Sequence, residues 1–253
     1  MDEAVGQHRL SWQTARIDAL QALTPRVMRV VLRPDRWVRP RPGQHAEARR
    51  TVKDGYQAQR SYSLLSPPQR TGLYELGIER LDDGEVSTWF HDKAQHGETI
   101  EVLGPVGGHF VLDESNTRPA LLIGGGSGVV PLLSMAAQRV GAYSLAHTTL
   151  LIAARHLEEV LLWPTLQRWE AFTPRFRTRL ALSRDTCAPR VQDHVGRIVE
   201  ADVAWALQQL GNVATESAQV FICGRNDFVE SIVHMVTGLN VPEVSIRTER
   251  FGS

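Results

Sequence analysis

Cysteine is scarce in this chain: Cys187 and Cys223 are the only two among 253 residues. They lie too far apart for a Cys-x-x-Cys pair, and an iron–sulfur cluster needs about four thiolates. Two cysteines also cannot build the dense disulfide framework of a small secreted domain. The sequence therefore offers neither an iron–sulfur site nor a disulfide scaffold.

An excess of charge of either sign is also missing. Lys+Arg and Asp+Glu each number 28, which gives a formal net charge of zero, whereas nucleic-acid-binding proteins usually carry a basic excess. No run approaches the roughly 18 apolar residues of a membrane span, and the polar first ten residues lack the apolar stretch of a secretory signal. We therefore expect no nucleic-acid partner, no membrane span and a cytoplasmic location.

Motifs for metal binding and nucleophilic catalysis are absent from the sequence as well. His91 and His96 do not have the four-residue spacing of a helical metal pair, and no carboxylate triad accompanies them. All nine histidines are interpreted as structural or surface residues. There is no Gly-x-Ser-x-Gly turn to present a nucleophilic serine. We expect no metal site.

Turn-forming residues divide the first part of the chain into short segments. Pro34, Pro40, Pro42 and Gly43 follow one another too closely for a helix. Strands are predicted at residues 27–33, 44–49, 59–64, 73–80 and 100–103, and one short helix at 86–93. Many short strands with frequent turns indicate a small antiparallel β-barrel, which we place at residues 1–114.

The pattern changes after residue 115, where apolar strands alternate with helical segments. Strands are predicted at residues 120–123, 148–153, 176–182, 218–223 and 243–246. Helices are predicted at residues 131–140, 158–169, 200–210 and 227–239. Such alternation implies right-handed crossovers and a parallel sheet. The fold class is therefore two-domain, with an α/β parallel-sheet domain at residues 115–253.

A glycine-rich turn joins the first strand of this second domain to its first helix. Residues 124–128 read Gly-Gly-Gly-Ser-Gly, and Pro131 lies in the first helical turn, where its missing N–H would have no partner. Glycines let the backbone approach a phosphate, and a helix N-terminus supplies free N–H groups. The turn predicts a pyrophosphate site; a tight turn without a ligand is the alternative.

A second motif, Arg60-Ser61-Tyr62-Ser63, lies in a predicted strand of the first domain. Arg60 and Tyr62 point to the same face of a strand. A guanidinium there can grip a phosphate in bidentate fashion, and the neighbouring ring could stack on a planar cofactor. Ser63 could donate a hydrogen bond to a ring nitrogen. An ordinary exposed strand is the alternative.

Taken in order, these motifs resemble those of the ferredoxin–NADP reductase family, especially the flavin reductase components of bacterial oxygenase systems. The resemblance runs from about Trp12 to Phe251 and includes three further segments. Residues 84–89 resemble the family's Gly-x-Val-Ser-x-Trp helix start, and residues 104–110 resemble its turn before the domain boundary. Residues 223–228 resemble Cys-Gly-Pro-x-x-Phe, with Arg225 in place of the proline.

The resemblance implies how the first domain holds a flavin. Arg60 would contact its phosphate, Tyr62 its ring system and Ser63 the region of its N5 atom. The backbone and the Ser87 hydroxyl at the helix start would bind the flavin pyrophosphate, which favours FAD over FMN. The implied flavin-binding residues are Arg60, Ser61, Tyr62, Ser63, Gly84, Glu85, Val86, Ser87 and Thr88.

In the second domain the resemblance implies a nicotinamide dinucleotide on the glycine turn. Ser63, Cys223 and Glu249 would frame hydride transfer, and the Phe251 ring would cover the flavin face and gate access to it. Without the resemblance, Cys223 is a buried small hydrophobe and Phe251 a packing residue near a terminus. The implied nucleotide-binding residues are Gly124, Gly125, Gly126, Ser127, Gly128, Pro131, Arg155, Ser183, Arg184, Cys223, Gly224 and Phe251.

The choice between the two nicotinamide cofactors depends on residues near the adenosine ribose, beyond the strands that follow the glycine turn. Arg155 follows the second strand, and Ser183-Arg184 follows the third. The latter pair resembles the segment that contacts the 2′-phosphate in NADPH-using relatives, so we expect NADPH. Glu158 and Glu159 could instead bind the ribose hydroxyls of NADH.

The implied reaction is hydride transfer from NADPH to FAD, followed by electron release to an acceptor. Because the sequence has too few cysteines for the iron–sulfur domain that many relatives carry, we expect a separate ferredoxin, flavodoxin or oxygenase component as acceptor. Six arginines within residues 33–50 are a candidate docking surface for an acidic carrier. The alternatives are a free flavin or ferric-chelate reductase, and a redox-inactive nucleotide-binding regulatory subunit.

Overall fold

The computed structural model describes residues 10–51, 55–211 and 217–251. Residues 1–9, which make up most of the polar start of the chain, lie outside this range. The described chain forms two six-stranded sheets, the first antiparallel and the second parallel. This confirms the predicted two-domain fold class. The first sheet ends at Val106 and the second begins at Ala120, and the boundary at residue 114 stays a prediction.

The first sheet closes into a barrel. Its strand order is β4-β3-β6-β1-β2-β5. The edge strands meet where Leu64 forms an antiparallel bridge with Leu76, and the Leu65 N–H donates a hydrogen bond to the Glu75 carbonyl at 2.7 Å. Closure removes the open sheet edges. The strands are β1 (Gln13–Ala22), β2 (Val27–Pro34), β3 (His45–Thr51), β4 (Gln57–Ser63), β5 (Tyr74–Glu79) and β6 (Thr99–Val106).

One short helix, α1 (Glu85–Asp92), covers the barrel. Its buried residues Val86, Trp89 and Phe90 pack in the same cluster as the barrel side chains Ile17 and Leu76. Burial of this apolar face, rather than the intrinsic helix propensity of eight residues, holds so short a helix in place. The helix confirms the one predicted at residues 86–93.

The second sheet has the strand order β10-β9-β8-β7-β11-β12. From the central β7 the chain moves outward through β8 and β9, and then crosses back to place β11 on the other side of β7. Ligands of open α/β sheets bind at such a reversal, outside the carboxyl ends of the strands. The elements are β7 (Ala120–Gly125), α2 (Val129–Gly141), β8 (Thr148–Ala154), α3 (Trp163–Phe172), β9 (Phe176–Leu182), β10 (His194–Val195), α4 (Glu200–Gln208), β11 (Gln219–Gly224), α5 (Asn226–Gly238) and β12 (Ile246–Arg250).

Two elements predicted for this domain are wrongly placed. The helix predicted at residues 158–169 begins at Trp163, because Leu162 has a left-handed φ of 55° that a right-handed helix cannot contain. A separate 3-10 turn, Leu157–Glu159, precedes it. The strand predicted at residues 243–246 is mostly a 3-10 turn over Glu243–Ser245, and β12 follows this turn.

The two domains share a packed interface. Barrel residues Val27 and Leu65 lie in one buried cluster with Val130 of α2. At Gly77 of β5, a Cβ atom would lie 2.5 Å from a methyl carbon of Val130, so only glycine allows this approach. Because apolar burial is the main stabilising term, the barrel and the start of α2 are fixed against each other. Within the described residues, no helix has the length and apolar character needed to cross a bilayer.

Candidate functional site

Three residues from distant parts of the second domain form one row across its sheet. Cys223 on β11 pairs in register with Gly124 on β7 and with Glu249 on β12. All three lie at or near the carboxyl ends of their strands, next to the reversal of strand order. Neighbouring strands are about 4.8 Å apart, so segments that are far apart in sequence meet here.

The glycine turn follows β7 as a 3-10 turn, Gly126–Gly128, that leads directly into α2. Gly126 is exposed, has a φ of +58°, and has nothing within 4 Å of the position a Cβ would take. At Gly128, by contrast, a Cβ would lie 2.5 Å from the Cys223 carbonyl oxygen and 2.8 Å from the Phe251 ring. Gly128 thus serves close packing against the end of β11, while Gly126 leaves an open backbone surface.

Other members of the turn also have packing roles. A Cβ at Gly125 would lie 3.3 Å from the Phe228 ring, and one at Gly224 would lie 2.5 Å from the same ring. Phe228 on α5 therefore packs against the ends of both β7 and β11. Pro131 is buried in the first turn of α2, the position the sequence predicts.

Burial disfavours charge in the row formed by Gly124, Cys223 and Glu249. Cys223 is 1% exposed, and burial, followed by the nearby Glu249, raises the pKa of its thiol. Burial also raises the pKa of Glu249 to about 7. Its Oε2 atom is buried and has no hydrogen-bond partner among the described residues. A buried polar atom without a partner requires an explanation. A ligand that hydrogen-bonds to this oxygen would explain its position.

Phe251 lies beside this row. Its N–H donates a hydrogen bond to the Gly224 carbonyl at 3.2 Å, and its ring packs against the buried cluster that contains Cys223. The chain after β12 is thereby tied to the end of β11. That the ring covers a flavin stays a prediction.

The Arg60-Ser61-Tyr62-Ser63 motif forms the second half of β4. Arg60 is exposed and has no carboxylate partner in the described chain; its guanidinium donates to the Gln59 carbonyl at 2.6 Å. Ser61 hydrogen-bonds to Glu47. Tyr62 packs edge-on against Phe90, with ring centroids 6.2 Å apart, and burial raises its pKa. Ser63 is half-buried.

The start of α1 lies near the beginning of β4, since the hydroxyl of Tyr56, which directly precedes β4, donates to the Glu85 carboxylate at 3.0 Å. Ser87 is 3% exposed. Its hydroxyl accepts from the Leu81 N–H and donates to the Gly84 carbonyl, both at 3.2 Å. Thr88 donates to the same carbonyl at 2.7 Å. The hydroxyl that the sequence predicts to bind a pyrophosphate is thus hydrogen-bonded within the turn, and its role toward the flavin stays a prediction.

The backbone at this helix start also offers hydrogen-bond donors. The first N–H groups of a helix have no partner within it, and those of Glu85, Val86 and Ser87 precede the first i→i−4 bond, which runs from the Thr88 N–H to the Gly84 carbonyl. These N–H groups and the exposed guanidinium of Arg60 are donors of the kind that suit a flavin phosphate; that they bind one together stays a prediction.

The end of β4 and the glycine turn are connected through β5. Leu64, which follows Ser63, bridges to Leu76 of β5. The next residue, Gly77, touches Val130 at the start of α2. The structure thus brings the two predicted cofactor sites to one interface.

The predicted adenosine-binding residues lie beyond the ends of β8 and β9. Arg155 is held by Glu159 through hydrogen bonds of 3.0 and 2.6 Å. Ser183 and Arg184 are exposed, and the described chain gives Arg184 no ion pair. The backbone N–H of Arg184 donates to the Arg155 carbonyl at 2.9 Å. Of the two arginines, Arg184 is the one with a free guanidinium.

Two residues that the sequence analysis missed lie at these sites. Glu79 accepts a hydrogen bond of 2.6 Å from the Ser127 hydroxyl of the glycine turn. Asp185 hydrogen-bonds to His156 at 2.8 Å and to the Leu157 N–H at 2.9 Å. Glu79 lies in no recognisable motif, and Asp185 is the acidic position of the segment that Ser183 and Arg184 resemble. Both contacts join segments far apart in the chain, so the sequence contained no signal for them.

The predicted arginine-rich docking surface is largely neutralised. Four of its six arginines have carboxylate partners: Arg33 with Asp18, Arg39 with Glu114, Arg41 with Asp113, and Arg49 with Glu101. Paired charges attract a distant acidic protein less than free ones. The surface therefore offers less positive potential than the six arginines suggest.

Comparison with known families matches each half of the chain to an oxidoreductase domain family. A model described as the oxidoreductase FAD-binding domain matches residues 23–111, and one described as the oxidoreductase NAD-binding domain matches residues 122–234. The exposed Arg60 and the open N–H groups of α1 fit flavin phosphates. The open face of Gly126 and the unpartnered Glu249 oxygen fit a nicotinamide dinucleotide. The protein is thus an oxidoreductase that uses FAD and NAD(P)H.

A curated relative narrows this class. Ferredoxin–NADP reductase B of Sorangium cellulosum is 30% identical over 199 residues, which cover 78% of this chain and 80% of that protein. The chain belongs to the ferredoxin–NADP reductase family. The glycine betaine monooxygenase reductase subunit of Chromohalobacter salexigens is 25% identical over 84% of this chain, which spans only 56% of that longer protein.

Solved structures show the same fold. The FAD/NAD-binding domain of nitric oxide dioxygenase from Vibrio cholerae aligns with a TM-score of 0.82, over 95% of this chain and 99% of that domain. At 20% identity, this likeness concerns the fold alone.

Proposed function

We propose that this oxidoreductase passes electrons from NADPH, through FAD, to a separate protein of the ferredoxin, flavodoxin or oxygenase-component type. The observation that carries the proposal is the row of Gly124, Cys223 and Glu249 at the reversal of the parallel sheet. The glycine turn that follows Gly124 is hydrogen-bonded to the barrel. The Sorangium and Chromohalobacter relatives, named as a ferredoxin–NADP reductase and a monooxygenase reductase subunit, support a protein acceptor.

Residues of the barrel would bind and orient FAD. Arg60 would pair with a phosphate in bidentate fashion, a strong charge-assisted interaction. The N–H groups at the start of α1 would bind the pyrophosphate, Tyr62 would contact the ring system, and Ser63 would lie at its N5 atom. FAD, when bound, supplies the redox chemistry, accepting a hydride and releasing electrons singly.

Residues of the row would hold the nicotinamide. Cys223 offers a small neutral side chain, so the ring can approach closely without meeting a charge. Glu249, whose pKa is raised to about 7, can donate or accept a hydrogen bond at Oε2 near neutral pH. Phe251 would exclude water and give way when the nucleotide enters. These contributions are orientation and desolvation, which act most strongly in the transition state.

Preference for NADPH is part of the proposal and depends on Ser183 and Arg184. The exposed guanidinium of Arg184 is free to pair with a 2′-phosphate, whereas Arg155 is occupied by Glu159. The same pairing neutralises Glu159, one of the two carboxylates that could have favoured NADH. A cytoplasmic location is also proposed, supported by the exposed free thiol of Cys187.

The test is NAD(P)H oxidation by the FAD-loaded protein with a series of acceptors. Reduction of ferricyanide shows whether electrons leave the flavin at all. Reduction of ferredoxin or flavodoxin by the protein would support the proposal. Reduction of ferric chelates or free flavin, with no reduction of either protein, would favour a small-molecule reductase. Absence of NAD(P)H oxidation with every acceptor would leave only the regulatory-subunit alternative.

A further inference from the structure

The glycine turn is held to the barrel by one short hydrogen bond. Ser127, the middle residue of the Gly126–Gly128 turn, donates from its hydroxyl to Oε2 of Glu79 at 2.6 Å. Glu79 is the last residue of β5. The bond therefore joins the flavin domain to the part of the nucleotide domain that faces the proposed pyrophosphate site.

The Glu79 carboxylate has a second attachment on its own side of the interface. Its Oε1 lies 3.7 Å from Nε of Arg26, and Arg26 is itself fixed to the barrel by a 2.9 Å hydrogen bond to the Arg80 carbonyl. The carboxylate thus lies between Arg26 of the barrel and the hydroxyl of the turn.

A dinucleotide on this turn would meet Glu79 in two ways. Its pyrophosphate would need hydrogen-bond donors, and the Ser127 hydroxyl is already donating to a carboxylate. A negative charge within hydrogen-bond distance of that hydroxyl would also repel the phosphates, and like charges this close interact strongly outside bulk water. Glu79 therefore opposes the nucleotide both as a competitor for Ser127 and as a charge.

We propose that Glu79 sets the affinity of the protein for nicotinamide dinucleotides: it holds Ser127 in the free protein and is displaced when the nucleotide binds. Arg26 would keep the released carboxylate on the barrel. This inference rests on the proposed pyrophosphate site at residues 124–128. Because the pyrophosphate is common to NADH and NADPH, Glu79 weakens both equally and favours rapid release, whereas Arg184 distinguishes between them.

The test is the dissociation constant of NADP⁺ and of NAD⁺ for the FAD-loaded protein, measured by calorimetry at low and high salt. Glu79→Gln keeps the size of the side chain and removes its charge, and should bind both nucleotides about five- to tenfold more tightly at low salt. The gain should shrink at high salt, because salt screens partly exposed charges. Glu101→Gln is the matched control, since it removes one charge from the same domain and should bind like wild type.

A Glu79→Gln protein that binds the dinucleotides no more tightly than wild type would overturn the inference. A wild-type protein that binds neither dinucleotide would instead overturn the proposed site, and the inference with it. Ser127→Ala separates competition from simple repulsion. In the Ser127→Ala protein, Glu79 has no hydrogen bond to the turn that the nucleotide must break. The gain in nucleotide affinity from Glu79→Gln should therefore be smaller. An equal gain in both backgrounds would show that Glu79 does not act through Ser127.

Discussion

Cys223 and Glu249 lie directly opposite each other on the neighbouring parallel strands β11 and β12. Both side chains are largely withdrawn from water, and the pKa values of both are raised, mainly by burial. The thiol therefore stays neutral, while the carboxyl group changes its charge near neutral pH. The ionisation state of this row is thus controlled by Glu249.

We expect the stability of the protein to fall as Glu249 ionises. Its folded-state pKa is about 7, against an ordinary value of 4.5, so between these values the folded state binds more protons than the unfolded chain. Stability is then lost as pH rises through this window. Glu249→Gln should be more stable than wild type at pH 8 by about 3 kcal/mol, and at pH 5 the difference should fall to about 1 kcal/mol.

Urea unfolding of both proteins at the two pH values, with FAD in constant excess, measures this difference. Glu101→Gln is a control in which the stability change has the opposite sign. Hydrogen bonding to Arg49 lowers the pKa of Glu101, so this variant should be less stable than wild type at pH 8. A stability difference between Glu249→Gln and wild type that does not change with pH would contradict the prediction.

Replacing Cys223 should affect hydride transfer more than nucleotide binding. Cys223→Ala leaves a small gap in the row and loosens the position of the nicotinamide, and orientation contributes mainly in the transition state. Stopped-flow reduction of the flavin should slow about tenfold or more, with a much smaller change in nucleotide affinity. Cys187→Ala, at the exposed second cysteine, should behave like wild type, and equal rates in both variants would defeat the prediction.

Arg60→Ala should release flavin. Without the guanidinium, the phosphate loses a charge-assisted partner, and FAD affinity should fall about tenfold or more. Fluorescence of released flavin measures the loss, and Arg60→Lys should restore part of the affinity. Arg16→Ala removes an exposed arginine that pairs with Asp18 and should retain FAD. Full retention of FAD by Arg60→Ala would show that the phosphate lies elsewhere.

Arg184→Ala should reduce the use of NADPH selectively. Its guanidinium has no other partner in the described structure, so a 2′-phosphate would lose its main cation. KM for NADPH should rise at least about tenfold, with little change for NADH. Arg155→Ala should have a smaller effect, because Glu159 already holds that guanidinium. A wild-type protein with a higher kcat/KM for NADH than for NADPH would overturn this assignment.

The sequence allowed the order of the elements and the place of the glycine turn to be predicted, because both depend on local signals. Apolar residues 120–123 followed by four glycines in five positions indicate a strand and a tight turn without any knowledge of the fold. The errors arose where local signals mislead. Val244 and Ile246 suggest a strand, yet residues 243–245 after Pro242 form a 3-10 turn, and the true strand β12 is largely polar.

The details of the site depend on contacts between distant segments and could not be predicted in this way. Ser87 is part of a recognisable motif, but its hydrogen bonds to Leu81 and Gly84 appear only when the turn is folded. The bond from Ser127 to Glu79 crosses the domain interface. Strand β1 was also missed, because its buried positions Ala15 and Ile17 are few among polar neighbours.

The central position of β7 has a consequence for the synthesis of the chain. One edge of this apolar strand pairs with β8, which follows after a single helix, but the other edge pairs with β11, which is made only after β9, β10 and α4. Until then the ribosome-bound chain carries an unpaired, aggregation-prone strand edge. Premature stops anywhere between residues 126 and 218 should therefore give insoluble fragments, and productive folding of this half has to wait for its last quarter to be translated.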